Sequence, residues 1–311
     1  MPGIAVFLNP YAGGNKRGRT RAERLAAIVR GNGEVHCPTT LEDLDTELSR
    51  ALDRRPDVIA LCGGDGSYFR AFTILDKRLG RDPWPLILPL PGGTVNNLTH
   101  AIRSQSRSPE RLLSHVVSDL QYGIAHDCAD CDLFKVGDDA VGYIFGAGMI
   151  VNFLRAYYAP GDPNPLSAAW LVLRLMGSAV VRGPLQAKIF QPFEADVIVD
   201  DERVPHRSYR MLIASSVAAI GLGFEPFYLA GRKPGQFHIL GGPAKATRLT
   251  KRLRYFYNGY PARDSDLYDN LGAEMTVEFA RPAYYTVNGD LLGPEMRVAV
   301  RKLRRISVIR G

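Results

Sequence analysis

Three times in its first hundred residues this chain runs an apolar stretch straight into a glycine-rich loop. Residues 3–9 (GIAVFLN), 57–62 (DVIALC) and 85–90 (PLILPL) lead into Asn9-Pro10-Tyr11-Ala12-Gly13-Gly14, Gly63-Gly64-Asp65-Gly66-Ser67 and Pro91-Gly92-Gly93-Thr94-Val95-Asn96-Asn97. Short apolar runs bounded by turn residues read as buried strands. Between them apolar residues recur at helical spacing, Leu25, Ile28 and Val29 within 20–30 and Leu41, Leu44, Leu48 and Leu52 within 41–52, with a brief strand at 34–37. Strands alternating with helices predict a parallel sheet covered on both faces, with ligands at the carboxyl ends of the strands. The glycine loops fall there. Glycine lets the backbone come within hydrogen-bonding distance of phosphate oxygens, and a helix starting just beyond offers unpaired N–H groups and partial positive charge. One such loop is common; three in one α/β domain point to a phosphate-bearing ligand.

After about residue 125 the character changes. Runs at 140–144, 187–189, 196–199, 209–215 and 275–279 are short and strand-like, interrupted by one helical pattern at 167–181. The expectation is an α/β N-terminal nucleotide-binding domain over 1–125 and a mainly β sandwich over 126–311, whose last strand (about 297–311) packs back on the first domain. A length of 311 residues with 46% hydrophobic and 23% charged residues suits two globular domains with full cores. The longest apolar run, 166–181, contains Arg174 and is shorter than the ~20 residues of a membrane span, and 3–9 already reads as a strand rather than a leader. A cytoplasmic location is expected. Cys128 and Cys131 form a C-x-x-C without the second pair a zinc site needs, so the four cysteines read as reduced structural thiols.

Charge is unevenly placed. Residues 226–311 hold 15 basic and 7 acidic residues, net +8, while 1–225 come to −1. No acid occurs between Glu225 and Asp264, where Lys245, Arg248, Lys251, Arg252 and Arg254 crowd together. Such a surface is either a solvated face or one that meets something anionic; no nucleic-acid motif accompanies it, which favours a membrane. Leu249, Leu253 and Phe256 recur at i, i+4 and i+7 beside these cations. An amphipathic helix with that pattern rests on an anionic bilayer or packs its apolar side into the core.

N-P-x-x-G-G, G-G-D-G-S and P-G-G-T-x-N, in this order, resemble the diacylglycerol kinase catalytic-domain family, which includes diacylglycerol, sphingosine and ceramide kinases. Further along, Gly146-Ala147-Gly148 is similar to the family's glycine turn, Val287-Asn288-Gly289-Asp290 falls where the family has V-D-G-E, and 221–239 corresponds loosely to its metal-loop region. The resemblance implies an ATP-binding α/β domain, a C-terminal β-sandwich, ATP between them, Mg²⁺, and a membrane lipid as acceptor: a lipid kinase associated peripherally with the membrane.

Carried over position by position, the resemblance puts Asn9, Gly13 and Gly14 beside the triphosphate, and Thr40 near the nucleotide because Asp45 follows at the family's spacing. Gly63, Gly64, Asp65, Gly66 and Ser67 wrap the phosphates, with Gly93, Thr94 and Asn96 from the third loop. Asp65 is the first candidate for an essential carboxylate, holding Mg²⁺ or serving the acceptor hydroxyl; an Asp-Gly turn is the plain alternative, as an N-cap is for Ser67. Asp290 matches the glutamate to which the family assigns the base role, against a simple Asn-Gly-Asp hairpin turn. Four positions depart from the pattern. Arg70 replaces a glutamate, and its guanidinium is read as pointing toward the phosphates or into solvent. Asn97 and Asn288 replace aspartates, and Arg232-Lys233-Pro234-Gly235 replaces the D-D-G segment that holds a structural Mg²⁺. A weakened nucleotide-binding protein of the same fold, and a soluble-substrate kinase related to NAD kinase, therefore stay open, as do the acceptor lipid and the choice between monomer and homodimer. The pattern at 167–181 reads as a core helix or a flap over a lipid pocket.

Overall fold

The computed structural model describes residues 3–15, 18–93, 95–158, 184–220 and 223–311. The helical pattern at 167–181, Thr94 and the first two residues of 221–239 lie outside them. Two compact units emerge, Met1–Cys131 with Arg305–Gly311, and Asp132–Arg304.

In the first unit β1 (Ile4–Leu8), β2 (Gly33–His36), β3 (Val58–Gly63) and β4 (Leu86–Pro91) form a parallel sheet in the order β2-β1-β3-β4, and the end of the final strand adds in parallel through Val308 opposite Ile87. Five helices accompany them: α1 (Gly18–Val29), α2 (Leu41–Asp53), α3 (Asp65–Leu79), α4 (Asn97–Ala101) and α5 (Pro109–Tyr122). Alternate residues of a strand face opposite sides, so Ile4, Val6 and Leu8 share one core with Leu25 and Val29 of α1 and Leu112, Leu113, Val116 and Val117 of α5. Local chemistry bounds α5: the Ser108 hydroxyl accepts the Arg111 N–H, Pro109 opens the first turn, and Gly123 takes the left-handed conformation at φ 64° that ends the helix.

The second unit is mostly antiparallel strand. Its elements are β5 (Cys128–Val136), β6 (Ala140–Gly142), β7 (Ile144–Gly148), α6 (Met149–Tyr158), α7 (Pro184–Ile189), β8 (Phe193–Val199), β9 (Glu202–Arg203), β10 (Ser208–Tyr209), β11 (Met211–Ser215), β12 (Phe237–Gly242), α8 (Ala246–Lys251), α9 (Leu253–Tyr257), β13 (Tyr268–Gly272), β14 (Glu274–Val287) and β15 (Asp290–Ile309). One ladder runs β7-β11-β12-β13; another joins β8 to β9 and β10. The long strand β14 serves both, pairing 275–279 with β8 and 285–287 with β7. Its register shifts between Glu278 and Tyr285, around Pro282, which has no N–H to give the ladder. A strand that takes different partners on either side of a bulge bends the sheet there, as at the corner of a β-sandwich. Glycines make room between the layers: a Cβ on Gly148 would stand 2.5 Å from the Phe193 ring, and one on Gly272 2.6 Å from Val199.

Two expectations are corrected. Residues 187–189 lie in helix α7, not a strand; a three-residue apolar fragment is too short to show which period it follows. The stretch around Leu249 is two short helices meeting at Arg252, not one continuous helix. Leu249 turns inward and is buried.

Candidate functional site

The three glycine loops meet at the carboxyl ends of β1, β3 and β4. The Gly14 N–H donates to the Gly92 carbonyl at 2.8 Å, and the Gly92 N–H to that of Gly63 at 2.9 Å. Gly64 and Gly93 approach so closely that a Cβ on Gly93 would lie 2.4 Å from the Gly64 Cα. Any side chain there would force two backbones apart, which is why these positions need glycine. Asn9 Nδ2 donates to the Ser67 hydroxyl at 2.9 Å, joining the first loop to the second. Asn9, Gly14, Gly63, Gly64, Ser67 and Gly93 are thus drawn into one cluster.

Helix α3 starts inside that cluster. Its N-cap is Gly64, which makes no side-chain cap; the N–H groups of Ser67 and Tyr68 donate to the Gly64 carbonyl at 2.9 and 3.2 Å, and the positive end of the helix dipole lies among the glycine loops. Asp65, the first helical residue, is buried, and its carboxylate faces a second helix start. Oδ2 accepts the Asn97 N–H at 3.1 Å and Oδ1 the Leu98 N–H at 3.4 Å. Asp65 therefore caps α4 from 32 residues away. Asn96 closes the third loop on itself: it sits at φ 57°, accepts the Gly93 N–H and donates to the Gly93 carbonyl, both at 2.9 Å. An asparagine tolerates this left-handed backbone better than most residues.

Beneath the loops lies a support with no family motif to announce it. Asn15 is 1% exposed; its Nδ2 donates to the carbonyls of Asn9 at 2.9 Å and Cys62 at 3.1 Å. Its Oδ1 accepts from Arg21 Nη1 at 2.6 Å, and the same nitrogen reaches the Gly14 carbonyl at 2.7 Å. Arg21 Nε pairs with Glu110 at 3.2 Å. Partial burial pushes the Glu110 carboxyl up, but hydrogen bonding and the Arg21 charge outweigh it and hold it below the usual range. Tyr68, fully buried on α3, points its hydroxyl at the carbonyls of Gly63 (3.3 Å) and Leu90 (3.4 Å), and burial raises it well above the ordinary phenol range. The Asn15 signal was a lone polar residue just past a glycine pair, too weak to single out.

Two candidates stand differently. Thr40 is the N-cap of α2: its hydroxyl accepts the Asp43 N–H at 3.0 Å while Asp43 accepts the Thr40 N–H at 3.1 Å, a capping box. Arg70 sits on the second turn of α3 with its guanidinium carbon 4.7 Å from the centroid of the Phe69 ring.

In the second unit Val287-Asn288-Gly289-Asp290 forms the two-residue turn between β14 and β15. Asn288 at φ 50° and Gly289 at φ 93° supply the left-handed pair such a turn demands. Asn288 also clamps the hairpin to the link between β6 and β7. Its Oδ1 accepts the N–H groups of Tyr143 and Ile144, both at 3.0 Å, and its own N–H donates to the Ile144 carbonyl at 2.8 Å. Its Nδ2 is buried with no hydrogen-bond partner among the described residues. Asp290, half-buried, follows this clamp as the first residue of β15. Gly146 and Ala147 are strand residues of β7, and within the Gly146-Ala147-Gly148 segment only Gly148, at φ 69°, has turn geometry. Gly235 takes φ 73° after Arg232-Lys233-Pro234, and its N–H donates to Asp132 Oδ2 at 3.2 Å. Among the described residues no three His, Cys, Asp or Glu side chains gather as a metal cluster. The four cysteines form no disulfide.

Residues 3–124 match the family model of the diacylglycerol kinase catalytic domain. No curated protein sequence matches the chain. The solved structure of a diacylglycerol kinase from Bacillus anthracis strain Sterne superimposes with a TM-score of 0.66 at 14% identity, covering 99% of this chain and 96% of that one. Two further proteins of that strain, provisionally assigned as diacylglycerol kinases, give TM-scores of 0.72 and 0.70 at 13% and 14% identity with the same coverage. At such identities the likeness is one of fold, and it extends over both units. The match over 3–124 is thus to the diacylglycerol kinase catalytic-domain family that its three glycine loops led us to expect.

Proposed function

We propose that this chain is an ATP-dependent lipid kinase that phosphorylates the hydroxyl of a membrane lipid. The observation that carries the reading is the meeting of three glycine loops around the uncapped start of α3, within a segment that matches a kinase catalytic-domain family. Oriented N–H groups beside a helix dipole form a cradle for phosphates, and the Gly64–Gly93 approach lets a ligand reach bare backbone. Phosphoryl transfer depends chiefly on positioning and charge stabilisation. Mg²⁺ is usually held by one or two carboxylates together with substrate phosphates, so Asp65 fits as a protein ligand to a nucleotide-borne ion. Bound there, the ion would neutralise phosphate charge. The Asn9–Ser67 and Asn96–Gly93 hydrogen bonds hold the loops in the shape that receives the phosphates. Thr94 adds a hydroxyl in this reading. Asp290, in the second unit, accepts the proton of the acceptor hydroxyl as its oxygen bonds to the γ-phosphorus and ADP departs. The acceptor is a diacylglycerol, a ceramide or a sphingoid base.

A second reading, a nucleotide-binding protein with weakened catalysis, is favoured by Asn97, Asn288 and the Arg232–Gly235 turn, where the family pattern has carboxylates. Incubation with radiolabelled ATP, Mg²⁺ and a detergent-dispersed panel of these lipids separates the two. A labelled lipid product that disappears with Asp290→Asn supports the kinase; ATP binding by calorimetry without any product supports the weakened binder.

A further inference from the structure

Of the nine large apolar or aromatic side chains exposed among the described residues, three fall within six residues of one another: Tyr255 (39% exposed), Tyr257 (54%) and Tyr260 (59%). They belong to the stretch 226–263, which has eight Lys and Arg and no acid. Burial sorts that stretch into two sides. Ala246 and Leu249 of α8 are buried, whereas Lys245, Lys251 and Arg254 are exposed along with the tyrosines. Arg248 is occupied by Asp264 and Asp266, and Arg252 stacks its guanidinium 5.4 Å from the Tyr255 ring centroid. Lys245, Lys251 and Arg254 make no ion pair among the described residues. The exposed Glu225 adjoins the stretch: its N–H donates to the Phe256 carbonyl and its carboxylate borders Gly259.

We propose that α8, α9 and the following turn, residues 245–260, form a docking surface for an anionic lipid bilayer. The chemistry is that of an interfacial contact rather than an inserted helix. Because Leu249 belongs to the core, the surface has no apolar stripe to sink among acyl chains. It offers instead phenol rings, whose apolar body and polar tip suit the headgroup level, interleaved with unpaired cations that meet lipid phosphates. Charge complementarity names the occupant, and the lipid acceptor proposed above is the reason to prefer a bilayer over a polyanion such as RNA; to that extent the inference rests on the kinase reading. The binding test needs neither ATP nor turnover, so either proposal can fail alone.

The full chain is co-sedimented with vesicles of phosphatidylcholine alone and with one third phosphatidylglycerol. Expected are binding only to the anionic vesicles, loss of it as salt rises from 0.05 to about 0.5 M while the Debye length shrinks, and a fall of about fivefold for each cation removed. A K245Q/K251Q/R254Q variant should thus bind about a hundredfold more weakly, and Y255S/Y257S/Y260S several-fold more weakly with salt dependence retained. K77Q/R78Q/R81Q, which removes the same charge from the end of α3 in the first unit, should bind like the parent. Melting curves establish that each variant is folded. Equal binding to both vesicle types, or equal losses for the two charge variants, overturns the proposal. So does tighter binding to single-stranded RNA, lost in the same K245Q/K251Q/R254Q variant. A variant that phosphorylates a short-chain, detergent-dispersed diacylglycerol like the parent but has lost vesicle binding supports it.

Discussion

Asp65 in the first unit and Asp290 in the second are the two carboxylates proposed for chemistry, and the structure surrounds them with the same device used differently. A side chain that accepts two consecutive backbone N–H groups, through both carboxylate oxygens at Asp65 and through one amide oxygen at Asn288, pins a turn at each place. In the first unit that side chain is Asp65 itself, which holds the N–H groups of Asn97 and Leu98. In the second it is Asn288, two residues before Asp290, which holds those of Tyr143 and Ile144. Structure and proposed chemistry are therefore merged in one residue at Asp65 and divided between two at Asn288 and Asp290. Any substitution at Asp65 disturbs both properties, whereas the hairpin allows them to be separated.

The largest effect is expected at Asp65. Asp65→Ala should abolish turnover and also lower stability by about 1–3 kcal/mol, because two N–H groups lose their acceptor. Asp65→Asn keeps an acceptor for one of those groups and turns an amide NH2 toward the other, so it should lose less stability than Asp65→Ala while turnover still falls at least a hundredfold. Parallel melting and turnover assays decide this; an active Asp65→Asn enzyme would reduce the residue to a cap. Next, Asp290→Asn should lower kcat about 10²–10⁴-fold with ATP affinity and Tm unchanged. If Tm falls as well, the division of labour at the hairpin is wrong. Asn288→Ala is the reciprocal case. It strands two buried N–H groups at about 1–3 kcal/mol each, visible as a lower denaturant midpoint and not primarily as a loss of kcat. The smallest effect belongs to Thr40→Ala, which should cost about 0.5–2 kcal/mol as a lost N-cap and leave ATP affinity unchanged; weaker ATP binding would return Thr40 to the nucleotide site. The cap also has a pH signature. The side-chain hydrogen bonds from Thr39 and Thr40 hold the Asp43 carboxyl below its usual range. Its stabilising contribution is thus complete above the ordinary aspartate pKa and lost as pH falls through the lowered one. The part of the difference between parent and variant that runs through Asp43 should therefore shrink in acid, while the neutral cap bond's part persists.

The parallel half was legible in the residues because its signals are local. Each strand ends in its own glycines, each helix has its own apolar spacing, and expected and observed strand limits differ by a residue or so. The second half was less legible. β14 is far longer than the apolar run at 275–279 because, beyond the irregularity at Pro282, it continues beside a different strand, and no local pattern announces a strand that changes partners. Residues 187–189 looked like a strand because a three-residue apolar fragment is too short to display a period.

By itself, then, the amino-acid order determined which segments become strand, loop and helix in the first unit, and which residue types stand ready at the loops. Those choices are made within a few residues, by glycine's freedom and by apolar spacing. Tertiary structure alone decided what the polar residues do. Asp65 meets Asn97 across 32 residues, Arg21 reaches Glu110 across 89, and Asn288 clamps Tyr143 across 145. A hydrogen bond is worth making only where folding has removed water from both partners, and which backbone N–H will be waiting there is set by how the elements pack.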